Sequence, residues 1–228
     1  MNYLDNNARV SWAMAYESGI RTQATVDLAE MQEAQPKRHK TRKGESAERR
    51  EPVTATQDRV NKGGPGAAYG AEYTPVYSSI RRMERETPLL AAVGHWLCLA
   101  DTGAANQYLD DVAAAILALY VAQTPEWSSY RTARKERVEA LIQARMMQDR
   151  NDMDGSRPLW QPKEVCFYCR EFMGVKIIPD NWQRDGWNKV WQSIGDILHS
   201  LESEAMEPIS KKIRETNKKY REFYRQAA

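Results

Sequence analysis

Residues 178–206 read IPDNWQRDGWNKVWQSIGDILHSLESEAM, and this stretch decides the fold. Trp187, Trp191, Ile194, Leu198, Leu201 and Ala205 recur at steps of three and four, the apolar seam of an amphipathic helix. Val190 and Ile197 widen the stripe, and Trp182 opens it. Asp180 and Asn181, after Pro179, offer side-chain oxygens to the first free N–H groups of the helix. Three tryptophans in ten residues bury a large area when all face inward. The rest of the chain is therefore expected to pack around this helix.

Outward from it, the same helical spacing repeats. On the C-terminal side, Glu207-Pro208 is expected to kink or restart the helix. The chain then ends in PISKKIRETNKKYREFYRQAA, a basic helix by pattern. On the N-terminal side, Gln161-Pro162 opens a helix over 161–173, and Gly174 is its expected left-handed closing residue. Thr-Pro pairs at 74–75, 87–88 and 124–125 mark helix starts. They predict helices over 75–85, 88–100 and 126–150, with a further one over 105–123. A loosely periodic helix is expected within 6–34. The one β-like run, residues 175–178, is too short to build a sheet. These features predict an all-α fold, an irregular multi-helix bundle with a flexible basic arm near the N-terminus. The expected division is an N-terminal helix (1–34), a linker (35–73), a helical core (74–206) and a basic C-terminal helix (207–228).

The linker is read from a change of composition. PKRHKTRKGESAERREPV is charged and almost free of large apolar residues, and VNKGGPGAAYGAEY is rich in glycine. Such a stretch buries too little apolar surface to offset its ordering entropy. It also accounts for the low mean hydropathy of −0.72 in a chain that is 42% hydrophobic. The three cysteines, an odd and low count, argue against a disulfide framework. No apolar run approaches the ~18 residues of a membrane span, and MNYLDNNARV lacks a signal-peptide pattern. The expectation is a cytoplasmic protein with no membrane partner.

A net charge of +2 does not by itself point to a polyanion, but the distribution of charge does. Lys37, Arg38, Lys40, Arg42 and Lys43 cluster around His39, and flexible basic arms bind phosphates by releasing counterions. The competing reading is a solvated linker. In the tail, Lys211, Lys212, Arg214, Lys218, Lys219, Arg221 and Arg225 are interleaved with Tyr220, Phe223 and Tyr224. Aromatics among cations stack on bases while the cations hold phosphates. The alternative there is an exposed helix with Ile209, Ile213, Tyr220 and Tyr224 turned inward. A third basic element, EWSSYRTARKERV, follows an apolar helix after a short turn. As a recognition helix it would present Ser128, Ser129, Arg131, Arg134 and Lys135 to base edges; otherwise it is a solvated basic face.

One set of residues has metal-ligand chemistry. His95 and Cys98, with Cys166 and Cys169 of a CxxC, would form a Cys₃His site suited to structural zinc. Against it, His95 and Cys98 lie in an apolar helix where small thiols are ordinarily buried. Without that zinc, no cofactor is implied. Asp110-Asp111 and the cluster Asp149, Asp152 and Asp154 could hold a divalent ion, although the cluster lies at a helix end and in a turn, where aspartate is expected anyway. His199 lies beside the tryptophan seam. Phosphate-loop, GxSxG, HExxH and Rossmann motifs are absent, so the chain is expected to bind rather than catalyse.

The sequence thus predicts a nucleic-acid-binding regulatory protein with DNA or RNA as partner. Its makeup is analogous, in composition, to that of phage and mobile-element transcription regulators. The alternative is a protein-interaction module. It would form a homo-oligomer or grip a larger protein such as a polymerase, through Trp12 and the tryptophans of 182–191.

Overall fold

Residues 4–17, 73–99, 102–152 and 158–227 are described in the computed structural model. Eight α-helices and no strand occur among them. In chain order they are α1 (Ala8–Glu17), α2 (Thr74–Glu86), α3 (Pro88–Cys98), α4 (Thr102–Asn106), α5 (Leu109–Gln123), α6 (Thr132–Arg150), α7 (Pro162–Met173) and α8 (Trp187–Ala227). Short 3-10 turns occupy Pro125–Ser129 and Pro179–Asn181. The all-α multi-helix bundle follows directly. The basic cluster at 37–43 and the expected linker, Tyr73 excepted, lie outside the described residues, as does Asp154.

The tryptophan helix is the axis of the bundle. α8 packs on α1, α2, α3, α5 and α6, and Trp187, Trp191, Ile194, Leu198, Leu201 and Ala205 are all buried. It begins later than the sequence suggests. Residues 179–181 form a 3-10 turn, and Gly186, at φ +78°, supplies the left-handed step just before Trp187. Trp182 joins the seam from that turn, its ring 6.3 Å from the ring of Trp191.

The helix also ends later. It runs through Pro208 without a break, so the expected boundary at 206/207 falls inside one 41-residue element. Ala205, Met206, Ile209 and Ile213 are buried on either side of the proline, and that packing keeps the chain on its helical path. The carbonyl deprived of a donor belongs to Glu204, an exposed residue, where water can satisfy it.

Other elements are shorter than their sequence patterns. The run 105–123 divides at Gln107 and Tyr108 into α4 and α5, and the run 126–150 becomes a 3-10 turn followed by α6. α7 has a capping box, with Gln161 N–H bonded to Glu164 at 2.6 Å, and Gly174 closes it at φ +67°.

The N-terminal segment is part of the core. Trp12 is fully buried, and its ring fills the space a side chain on residue 94 would occupy. A Cβ on Gly94 would stand 2.1 Å from Trp12 Cη2, so this crossing requires glycine. Asn217 of α8 clasps the segment by accepting from Leu4 N–H at 3.0 Å and donating to Leu4 C=O at 3.1 Å. Arg150 closes the end of α3, donating to Trp96 C=O and Leu99 C=O while its guanidinium lies over the Trp96 ring. Among the described residues no helix is long and apolar enough to cross a membrane.

Candidate nucleic-acid interface

The far end of α8 carries the basic tail. Among the described side chains its last buried residue is Asn217, and residues 218–226 are exposed apart from half-buried Tyr220. The final ten helical residues therefore project beyond the core by about 15 Å. Ile209 and Ile213 point inward, whereas Tyr224 and Phe223 do not; Phe223 is 65% exposed. Lys211, Arg214, Lys218, Arg221 and Arg225 are all exposed and follow one another at steps of three and four. Helical geometry puts them in a single stripe about 21 Å long on the face opposite the core. Lys219 and half-buried Lys212 lie to one side. Two acids approach the cations, Glu215 at 3.8 Å from Lys212 and Glu222 at 3.9 Å from Lys218. Such exposed pairs are worth at most about 1 kcal/mol and leave the stripe electropositive. Cations at this end are also favoured by the negative pole of the helix.

The start of α6 is used differently. Ser128 and Ser129 belong to the 3-10 turn, and Arg131 is the N-cap, so none of the three is on the helix. The Arg134 guanidinium is held between the rings of Tyr130 and Trp187, at 4.8 and 4.7 Å, and donates to Asp185 C=O at 3.2 Å. The Lys135 ammonium lies 5.5 Å over Trp127. Arg134 and Lys135 are thus engaged with aromatic faces of their own fold, and only Arg131 of the three cations is fully exposed. Eight residues, 124–131, separate α5 from α6, against the short turn of a helix-turn-helix.

The four zinc-ligand candidates are not assembled. Among the described residues no three His, Cys, Asp or Glu side chains form a group that could hold a metal ion. His95 is buried with both ring nitrogens occupied. Its Nδ1 accepts from Trp12 Nε1 at 3.3 Å, and its Nε2 lies 3.0 Å from Glu84 Oε1. The ring stacks on Tyr108 at 4.8 Å. Burial lowers the His95 pKa, an effect that outweighs the pull of Glu84 toward the charged form. Burial likewise raises all three thiols, Cys166 to about 11 and Cys169 to about 12. The Cys169 thiol points at Ala140 C=O, 3.8 Å away.

Two further surfaces were not legible in the sequence. A cleft of about 410 Å³ beside α1, α6 and α8 is lined by Arg9, Arg145, Asp149 and Glu202, with His199 at its edge. Arg9 contacts Glu202 at 2.6 Å and donates to the carbonyls of Asp149 and Asp152 at 2.8 Å. Arg145 holds the Asp149 carboxylate at 3.0 Å. Burial nevertheless pushes Asp149 above its ordinary value. These opposite charges are matched within the fold and lock the N-terminal segment to α6 and α8. The second surface is the outer face of α7, where Phe167 and Phe172 are 56% and 70% exposed.

The tryptophans expected to grip a partner face inward: Trp12, Trp182, Trp187 and Trp191 are all buried in the intramolecular core. Compared with known proteins, the chain matches no family model, no curated protein and no solved structure.

Proposed function

We propose that the protein binds nucleic acid, DNA or RNA, through the projecting end of α8, and that it acts by binding rather than by chemistry. The observation that carries this reading is the exposed stripe of Lys211, Arg214, Lys218, Arg221 and Arg225, which starts on the core part of α8 and runs out past its last described buried residue, Asn217. Cations at helical spacing along ~21 Å can each approach a phosphate, and every phosphate neutralised releases counterions. Phe223 and Tyr224 lie at the same end but off the stripe, on the other side of the helix, where their exposed rings are available for stacking by unpaired bases. The basic residues Lys37, Arg38, Lys40, Arg42 and Lys43 add a second source of positive charge in the sequence. Control of transcription is the setting this reading favours, with the core holding the basic elements in place.

The test is binding of the full chain to labelled duplex and single-stranded DNA and RNA. Replacing the five stripe cations by glutamine is expected to weaken binding at least about tenfold at moderate salt. The thermal transition should hardly move, because all five are exposed. Undiminished affinity in that variant would remove α8 from the interface. A protein-interaction role is the second reading, and the exposed aromatic face of α7 favours it.

A further inference from the structure

α7 lies at the edge of the bundle and packs chiefly on α6. Val165, Cys166 and Cys169 face inward. The outer face is centred near Phe167, and its charges are ordered. At 3.6 residues per turn, Lys163 and Arg170 fall on one flank of the face, and Glu164 and Glu171 on the other. Both pairs repeat at seven residues and therefore sit at matching heights. Phe167 leans to the basic flank. On the acidic flank the rings of Trp160, Tyr168 and Phe172 follow one another, Trp160 to Tyr168 at 5.4 Å and Tyr168 to Phe172 at 4.8 Å. They line a groove of about 430 Å³ that Lys163, Glu164 and Phe167 complete.

We infer that this face is a dimerisation surface whose occupant is the α7 of a second copy of the chain, related by a two-fold axis parallel to the helix. An isologous contact must be self-complementary. A two-fold along the helix exchanges the flanks. Lys163 and Arg170 of each copy then meet Glu164 and Glu171 of the other, and each Phe167 enters the aromatic groove opposite. The antiparallel two-fold would set like charges against each other, so the charge order selects the parallel pairing. Within its own copy Arg170 makes an exposed 2.8 Å contact with neighbouring Glu171 and lies 5.7 Å over the Phe167 ring, exposed contacts of the kind that exchange partners at little cost. The dimer is independent of nucleic-acid binding and stands or falls separately from it.

The test is sedimentation equilibrium of the full chain at low micromolar to high micromolar concentration. A concentration-dependent dimer is expected. Phe167→Asp should raise its dissociation constant at least about tenfold with an unchanged circular dichroism spectrum. The charge order is tested with two further variants, Lys163→Glu/Arg170→Glu and Glu171→Lys. Glu164 is left intact because it caps α7. Each variant alone should dimerise less than the wild type, and the two mixed should form a heterodimer. A monomer throughout the range would overturn the proposal. So would a dimer indifferent to Phe167→Asp, or charge variants that fail to recover on mixing.

Discussion

His95 shows how one buried residue ties separate elements together. It receives Trp12 of α1, meets Glu84 of α2 and stacks on Tyr108, while Tyr16 and Arg81 bond the same Glu84. With Nδ1 accepting, the neutral ring carries its proton on Nε2, facing Glu84. Charging the ring would put a proton where the Trp12 N–H already points. Its folded pKa lies below the ordinary ~6.5, so the unfolded chain takes up the proton first as pH falls. The stability His95 contributes is therefore present above pH ~6.5 and is lost as pH drops through the folded value. Urea midpoints measured from neutral to mildly acidic pH should decline in the wild type, and His95→Gln should flatten the decline. Gly94 makes a simpler prediction. Gly94→Ala drives a methyl into the Trp12 ring and should destabilise the fold by about 1–3 kcal/mol, read as a lower urea midpoint.

Among the elements, α8 does two jobs along one axis. Up to Asn217 it contributes to the core, and among the described residues beyond it, 218–226, all are exposed except half-buried Tyr220. Removing residues 218–228 should leave the thermal midpoint within about 2 °C of the full chain. Asn217→Ala, by contrast, leaves the Leu4 backbone groups without their partner and should cost about 1–3 kcal/mol. Pro208→Ala should raise stability by roughly 1–3 kcal/mol, since it restores a helical N–H opposite Glu204 C=O. Calorimetry on the three variants separates these effects. Much of α8 was legible in the sequence because a long amphipathic seam is the strongest periodic signal a chain can carry. Its continuity through Pro208 was not, because it depends on Ile209 and Ile213 meeting a core that other segments build. The start of α6 misled for a related reason. EWSSYRTARKERV has the charge of an exposed helix, and only the packing reveals that Tyr130 and Trp187 hold Arg134 from both sides. The outward face of α7 is not legible in the sequence, because nothing local distinguishes Phe167 and Phe172 from core residues until the fold leaves them outside.

For the molecule as a whole, the tryptophans and the charges divide the work. Buried indoles organise a bundle around α8, and matched charges such as Arg9 with Glu202 fasten the N-terminal segment to it. Exposed cations that outnumber the neighbouring acids are gathered at the end of the same helix, and that separation is the basis of the proposed nucleic-acid function. The most direct measurement is the affinity of the full chain for labelled nucleic acid across a salt series. Five phosphate contacts on B-DNA would give a log–log slope of about −4.5, and the glutamine variant of the stripe should lose most of that contribution. Absence of binding at low salt, or a slope unchanged by the variant, would contradict the account.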